Sequence, residues 1–203
     1  MTIYQEGERE YGMLLADGLQ AVSKIEIENR LRLLPEWRRQ KAMSYHFDID
    51  RLLCAEAYLL LCKGLKTWFG IKESPEFDYG PQGKPFLRNY PDIHFNLSHC
   101  HKAAMCVISE KPIGCDIEEI PDKIDEDLCR MCFNDKEIAE IHSDYEPCIS
   151  FTMWWTKKEA LLKRVGIGLI DDMPSLDQNN KIRNATVSTS IKRNEGYVFS
   201  IAY

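Results

Sequence analysis

Three groups of side chains in this sequence have the types and spacing to do chemistry. The first is Ile113-Gly114-Cys115-Asp116-Ile117-Glu118-Glu119. On an extended strand, residues two apart share a face, so Asp116 and Glu118 point one way and Ile117 the other. Two carboxylates held side by side repel, and they stay ionised most readily with a cation between them. Hard oxygen ligands of this kind suit magnesium or calcium, and magnesium commonly binds substrate phosphates as well. A solvated strand alternating acidic and apolar residues would show the same pattern. The second group is Trp154-Trp155-Thr156-Lys157-Lys158-Glu159 through Lys163. Glu159 and Lys163 lie four apart on one helix face, and a surface ion pair worth about 0.3–0.5 kcal/mol explains them as well as any function does. Read functionally, Glu159 adds a third carboxylate, and Lys158 and Lys163 add cations for phosphate. The tryptophans serve packing. The third group is Phe95-Asn96-Leu97-Ser98-His99, with Gly83-Lys84-Pro85 upstream. A Ser-His pair without an orienting acid makes a poor nucleophile. His99 and Lys84 suit recognition of an anionic phosphate better, although His94 and His101 share the same chemistry.

These groups need elements to position them. Ile3 and Tyr4 suggest a first strand. Apolar residues recur at helical spacing from Ser23 to Leu34 (Ile27, Leu31, Leu34), and Pro35 suits the first turn of a new helix. Asp48 or Asp50 is the expected cap of a long helix reaching about Trp68 and ended by Gly70. Residues 74–92, rich in proline and glycine, read as loop. Strands are expected at His94–Leu97, Ala103–Ile108 and Ile113–Ile117, the last two joined so tightly through Glu110-Lys111-Pro112 that they predict an antiparallel hairpin. Helical patterns follow over 124–142 and 148–165, then strands at Thr186–Lys192 and Tyr197–Ala202. Helices mixed with antiparallel strands predict an α+β fold.

Composition narrows the field. The chain has 203 residues, a net charge of −6 and 44% hydrophobic residues, which excludes wholesale disorder. A chain of this length buries roughly 70% of its unfolded surface. Its sequence pI near 5.5 argues against a general nucleic-acid binder. No apolar run approaches the ~20 residues of a membrane span. The first residues lack a basic-then-apolar leader, which predicts a cytoplasmic protein. The eight cysteines are then expected as free thiols. Cys129 and Cys132 have zinc-type spacing, but no second pair follows, and with Leu128 and Phe133 they read as a buried helix face.

The motifs Gly83–Pro85, Phe95–His99, Gly114–Glu118 and Trp155–Lys163, in that order, resemble the 4'-phosphopantetheinyl transferases, specifically the monomeric type that serves peptide synthetases such as surfactin synthetase. That family carries G-[IV]-D-x-E and, after a spacer, [WF]-[STC]-x-K-E-[AS]-x-x-K. The resemblance implies two similar α+β halves with antiparallel sheets related by a pseudo-twofold axis. The N-terminal half would span 1–100 and the C-terminal half, with the metal motifs, 101–203, the active site lying between them. It implies transfer of the phosphopantetheine arm of coenzyme A to a serine of an acyl or peptidyl carrier protein, with adenosine 3',5'-bisphosphate released. It implies Mg2+ on Asp116, Glu118 and Glu159, and catalytic roles for Glu159 and Lys163. Arg51, Lys84, Ser98, His99, Lys158 and Lys163 would hold coenzyme A. Glu159, directly or through a metal-bound water, would be the base. Arg38, Arg39 and Lys41 are candidates for the 3'-phosphate, with surface solvation as the equal alternative, and Cys115 stands where the family has Ile or Val. A monomer with carrier and coenzyme A as partners, and neither nucleic acid nor membrane, follows from the same resemblance.

Two rivals stand beside this reading: a non-catalytic scaffold binding coenzyme A or carriers, and a metal-dependent phosphohydrolase using the same three acids. For the carrier, the expected docking surface is Ile120–Ile149, where Leu128, Met131, Phe133, Ile138 and Ile141 alternate with charges such as Arg130 and Lys136.

Overall fold

The computed structural model describes residues 2–6, 10–168, 173–178, 182 and 184–203. Two strands, β1 (Thr2–Glu6) and β2 (Gly12–Asp17), precede three helices, α1 (Lys24–Arg32), α2 (Glu36–Met43) and α3 (Asp48–Phe69). Ser23 and Glu26 form a reciprocal capping box at the start of α1. At the start of α3 the cap position is Phe47, with Asp48 and Asp50 in the first turn, where carboxylates favour the helix dipole. Gly70, at φ 68°, takes the left-handed position that ends α3. The proline-rich segment that follows is not all loop. It holds a small flap of two strands, β3 (Phe77–Tyr79) and β4 (Pro85–Leu87), pinned by Phe77 edge-on against Trp37 and Tyr58.

Then come β5 (His94–His99), β6 (Ala103–Ser109), β7 (Gly114–Glu119), α4 (Glu126–Cys132), α5 (Asp135–Ser143), α6 (Pro147–Val165), β8 (Val187–Lys192) and β9 (Tyr197–Ala202). The helical pattern over 124–142 is two helices, because Asn134 caps α5 through a second capping box with Glu137. Cys129 and Cys132 are buried, and with Phe133 and Phe151 they belong to the core under α6.

The main sheets are β1-β2-β6-β5 and β7-β9-β8, antiparallel throughout. The hairpin expected from Ala103–Ile108 and Ile113–Ile117 does not form. The reason lies in β6, which is apolar on both faces. Ala104, Cys106 and Ile108 pack beneath α1–α3. Ala103, Met105 and Val107 face the second sheet, meeting Cys115, Ile117, Phe199 and Ile201. If β7 lay in plane beside β6, that second face would lose part of its cover, so Glu110–Pro112 carries the chain from one layer to the next. β6 stays with the first sheet, paired with β2 and β5.

Each half repeats one topology: β2, α3, β5, β6 in the first and β7, α6, β8, β9 in the second, with equivalent strand orders β2-β6-β5 and β7-β9-β8. Both opening strands start at a glycine under the long helix. A Cβ on Gly114 would sit 2.2 Å from the Ala160 carbonyl oxygen and the Arg164 nitrogen, and one on Gly12 2.5 Å from the Trp68 ring. Overpacking typically costs 1–3 kcal/mol. Gly114→Ala meets helix backbone, so it is expected to lose about 3 kcal/mol in urea unfolding. Gly12→Ala meets a half-buried ring that can shift, and about 1 kcal/mol is expected. Equal losses would show that β7 and α6 are not in close backbone contact.

Candidate active site

The edges of the two sheets create the site. β5 ends the first sheet and β7 ends the second, so each presents backbone groups that need partners. Side chains of β5 supply them to β7. Asn96 Oδ1 accepts from the Cys115 N–H at 2.9 Å, and Ser98 Oγ accepts from the Ile117 N–H at 3.3 Å. Strand alternation then turns Cys115 and Ile117 into the inter-sheet core and Asp116 toward α6.

Asp116 is 1% exposed. Its Oδ1 accepts from Lys163 Nζ at 2.6 Å and from Ser98 Oγ at 2.9 Å, while Lys163 Nζ also lies 3.2 Å from Ser98 Oγ. Burial works against the Lys163 ammonium, but the Asp116 charge and hydrogen bond outweigh it and raise its pKa. Glu118 is pushed up to about 7, by burial first and then by the Asp116 charge, against the pull of Lys163 and a hydrogen bond from Trp155. Burial also raises Glu159. A cleft of about 250 Å³ opens alongside, lined by Lys84, Asn96, Glu159 and Lys163 among others.

The other expected residues divide. Lys84 reaches the cleft wall, its Nζ donating to the Ile113 and Arg164 carbonyls at 3.1 and 3.0 Å, and burial brings its pKa down to about 8. His99 follows Ser98 at the end of β5; partial loss of hydration, then the Lys163 charge, lowers its pKa, with Asp50 of α3 opposing. Arg51 is held near the start of α3 by Asp48 and the Tyr45 carbonyl. Lys158 is not brought to the site. It is 2% exposed and spends its protons on Glu137, Cys132 O and Met173 O at 2.7, 2.9 and 3.0 Å, beneath Phe133. Among the 3'-phosphate candidates, Arg38 is buried, bonded to the Cys54 carbonyl and stacked on Tyr58, and Arg39 pairs with Glu36. Lys41 is exposed. Asn96 and Glu137 carry roles that motif reading passed over. Asn96 was accessible, because Asn96 and Ser98 are the polar, alternate positions of a strand whose other face is Phe95 and Leu97.

Comparison with known proteins bears on this arrangement. The family model of the 4'-phosphopantetheinyl transferase superfamily matches residues 112–202, from the start of β7 through β9. Over those residues the chain is similar to this superfamily. A 4'-phosphopantetheinyl transferase of Bacillus subtilis is 33% identical over 123 residues, 59% of this chain and 49% of that protein. The transferase gsp of Aneurinibacillus migulanus is 38% identical over 125 residues, covering 60% and 51%. The transferase Sfp of Bacillus subtilis strain 168 is 25% identical over 156 residues, covering 73% and 67%. The chain spans about half the length of the first two of these relatives.

The donor set fits a hard divalent cation in kind. Three carboxylates lie near enough to Lys163 to feel its charge, and Asp116 Oδ2 is buried without a hydrogen-bond partner among the described residues. As the side chains stand, no three His, Cys, Asp or Glu groups among the described residues are close enough to hold an ion, and Lys163 occupies Asp116 Oδ1.

The segment Trp155–Lys163 thus contains two lysines with different fates, and stability separates them. Removing one partner of a buried ion pair typically costs 3–5 kcal/mol, because the other charge is left bare. Lys158→Met is expected to lose that much in chemical unfolding. The double variant Lys158→Met with Glu137→Gln should recover most of it. A fully stable Lys158→Met protein would return Lys158 to the list of ligand-binding residues.

Proposed function

We propose that this chain transfers the 4'-phosphopantetheine arm of coenzyme A to a serine hydroxyl of an acyl or peptidyl carrier protein, with Mg2+, releasing adenosine 3',5'-bisphosphate. The observation that carries this reading is the meeting of Asp116, Glu118 and Glu159 with Lys163 and Ser98 at the junction of the two sheets, beside a cleft that Lys84 lines. The names borne by the relatives agree with it. The cytoplasmic, monomeric setting expected from the sequence belongs to the same reading.

In this mechanism Lys84, Ser98, His99 and Lys163 hold the phosphates of coenzyme A, and Arg51 takes the nucleotide end. Charged contacts of this sort are each worth about 1.5–3 kcal/mol. Asp116, Glu118 and Glu159 would hold the magnesium ion, which when bound supplies charge stabilisation at the diphosphate. The serine oxygen forms a bond to phosphorus as the bond between that phosphorus and the bridging oxygen breaks. Glu159, directly or through a water, takes the serine proton. Lys163 faces the charge that develops on the departing adenosine bisphosphate.

The deciding experiment incubates an apo carrier protein with coenzyme A and magnesium and weighs the carrier. A gain of one phosphopantetheine group is expected, with Asp116→Asn at least 100-fold slower, a loss of about 2.7 kcal/mol in transition-state stabilisation. Asparagine is the informative replacement, because it keeps an acceptor for Ser98 and Lys163. Phosphate release without carrier modification would instead indicate a phosphohydrolase, and coenzyme A binding with no reaction a scaffold.

Carrier docking narrows to fewer residues than the whole 120–149 segment. Phe133 and Ile141 are core, and Leu128 and Ile138 are partly buried against it. Met131 is 70% exposed, next to exposed Arg130, and Tyr145 is 98% exposed. Met131→Glu is expected to raise the KM for carrier about tenfold, as for a lost apolar contact of about 1.4 kcal/mol, with coenzyme A affinity unchanged by calorimetry. Equal damage to both would remove Met131 from the docking surface.

A further inference from the structure

A second cavity, of about 280 Å³, adjoins the catalytic cleft and shares Lys84, Pro85 and Gly166 with it. The β3–β4 flap, the start of β5 and the end of α6 enclose it. Its walls differ from those of the first site. Three basic residues line it, Lys84, His94 and Arg164, and no carboxylate does among the described residues. That is unusual in a chain carrying 32 acidic and 26 basic residues. Phe86 and the prolines on either side of Lys84's loop make the rest of the surface apolar.

Arg164 is the informative member. Its Nε is buried and has no hydrogen-bond partner among the described residues. A buried donor left without an acceptor is costly, and each such group calls for an explanation. Lys84 does not relieve it. That ammonium donates to the Ile113 and Arg164 carbonyls and adds a second positive charge beside the guanidinium. Like charges gathered in a cavity without an acid are stabilised by an anion that enters it. A planar guanidinium suits the two-oxygen edge of a phosphate or carboxylate. The volume leaves room for more than the anion, since an apolar cavity of about 150 Å³ already admits benzene.

We propose that this cavity is a second ligand site, distinct from the cleft beside Asp116, which takes a small molecule made of an apolar ring and a phosphate or carboxylate group. The anion sits on Arg164 and His94, and the ring packs against Phe86 and the prolines. Lys84 forms a wall of both cavities, so an occupant here touches a residue of the catalytic cleft without entering it.

The test is amide NMR titration of the whole chain, without coenzyme A or magnesium, using phenyl phosphate and inorganic phosphate as probes. Its outcome is independent of whether the protein modifies carriers. Phenyl phosphate is expected to shift the amides of Phe86, His94 and Val165. It should bind about tenfold more tightly than inorganic phosphate, as burial of the ring requires. Arg164→Gln, with an otherwise preserved amide spectrum, should weaken it about tenfold or more, as loss of a charged hydrogen bond does, and His94→Gln by less, as loss of a neutral one does. Three outcomes would overturn the proposal. Shifts could be confined to Ser98, His99 and Lys163, which would place the probe in the first cleft. Both folded variants could bind like the wild type. Or phosphate could bind as tightly as phenyl phosphate, which would leave the apolar walls without a role.

Discussion

Two hydrogen bonds across the junction of the sheets, from the Cys115 and Ile117 amides to Asn96 and Ser98, are the constraint on which the site rests. A strand edge cannot be buried with its amides unpaired. Here β7 is buried without a neighbouring strand on that side, and β5 answers with side chains instead of backbone. Because alternate amides of β7 are the ones bonded, the residues between them face α6. Asp116 is therefore held under Lys163 by the same geometry that closes the strand edge. Ser98 joins both tasks, accepting from Ile117 and donating to Asp116. The chemistry is attached to the fold at a point where the fold has no slack.

The helix supplies the complementary constraint. Residues four apart on α6 lie nearly in line, so Glu159 and Lys163 both address β7. Lys158 and Lys163 are five apart, which separates them by about 140° around the axis at 3.6 residues per turn. They cannot serve one ligand site on one face. The structure resolves the conflict by sending Lys158 under α4 and α5, where Glu137 neutralises it. That outcome was available from the sequence by helical geometry alone. Motif matching obscured it, since adjacency to Glu159 in the chain suggested adjacency in space.

Legibility elsewhere followed the same division between local and non-local causes. The shared face of Asp116 and Glu118 depends only on strand alternation, and it was readable. So were Gly70 as the end of α3 and the last two strands. The partner of β6 was not readable, because a three-residue connection fits a change of layer as well as a hairpin. Only the covering of both apolar faces of β6 distinguishes them, and that requires knowing where α3 and β9 lie. The repeat of the two halves was hidden for a related reason. It is conserved as a strand order, and the side chains at equivalent places differ: Gly12 lies under an indole ring and Gly114 under helix backbone.

Charge balance ties these features to function. Asp116, Glu118 and Glu159 carry three negative charges when ionised, and Lys163 returns one positive charge. The remaining deficit of two is met in part by protons, which is why burial and mutual repulsion hold Glu118 near 7 and raise Glu159. Two unit charges 4 Å apart interact by about 4 kcal/mol at the effective dielectric of a protein surface, so the deficit is not small. A divalent cation has the charge that the deficit lacks, and oxygen donors are the ligands such an ion prefers. In the proposed reaction an incoming diphosphate would add further negative charge, and the lysine already bonded to Asp116 could not neutralise both. The same three acids that strain the empty arrangement are therefore the ones that a cation and a phosphate together would satisfy.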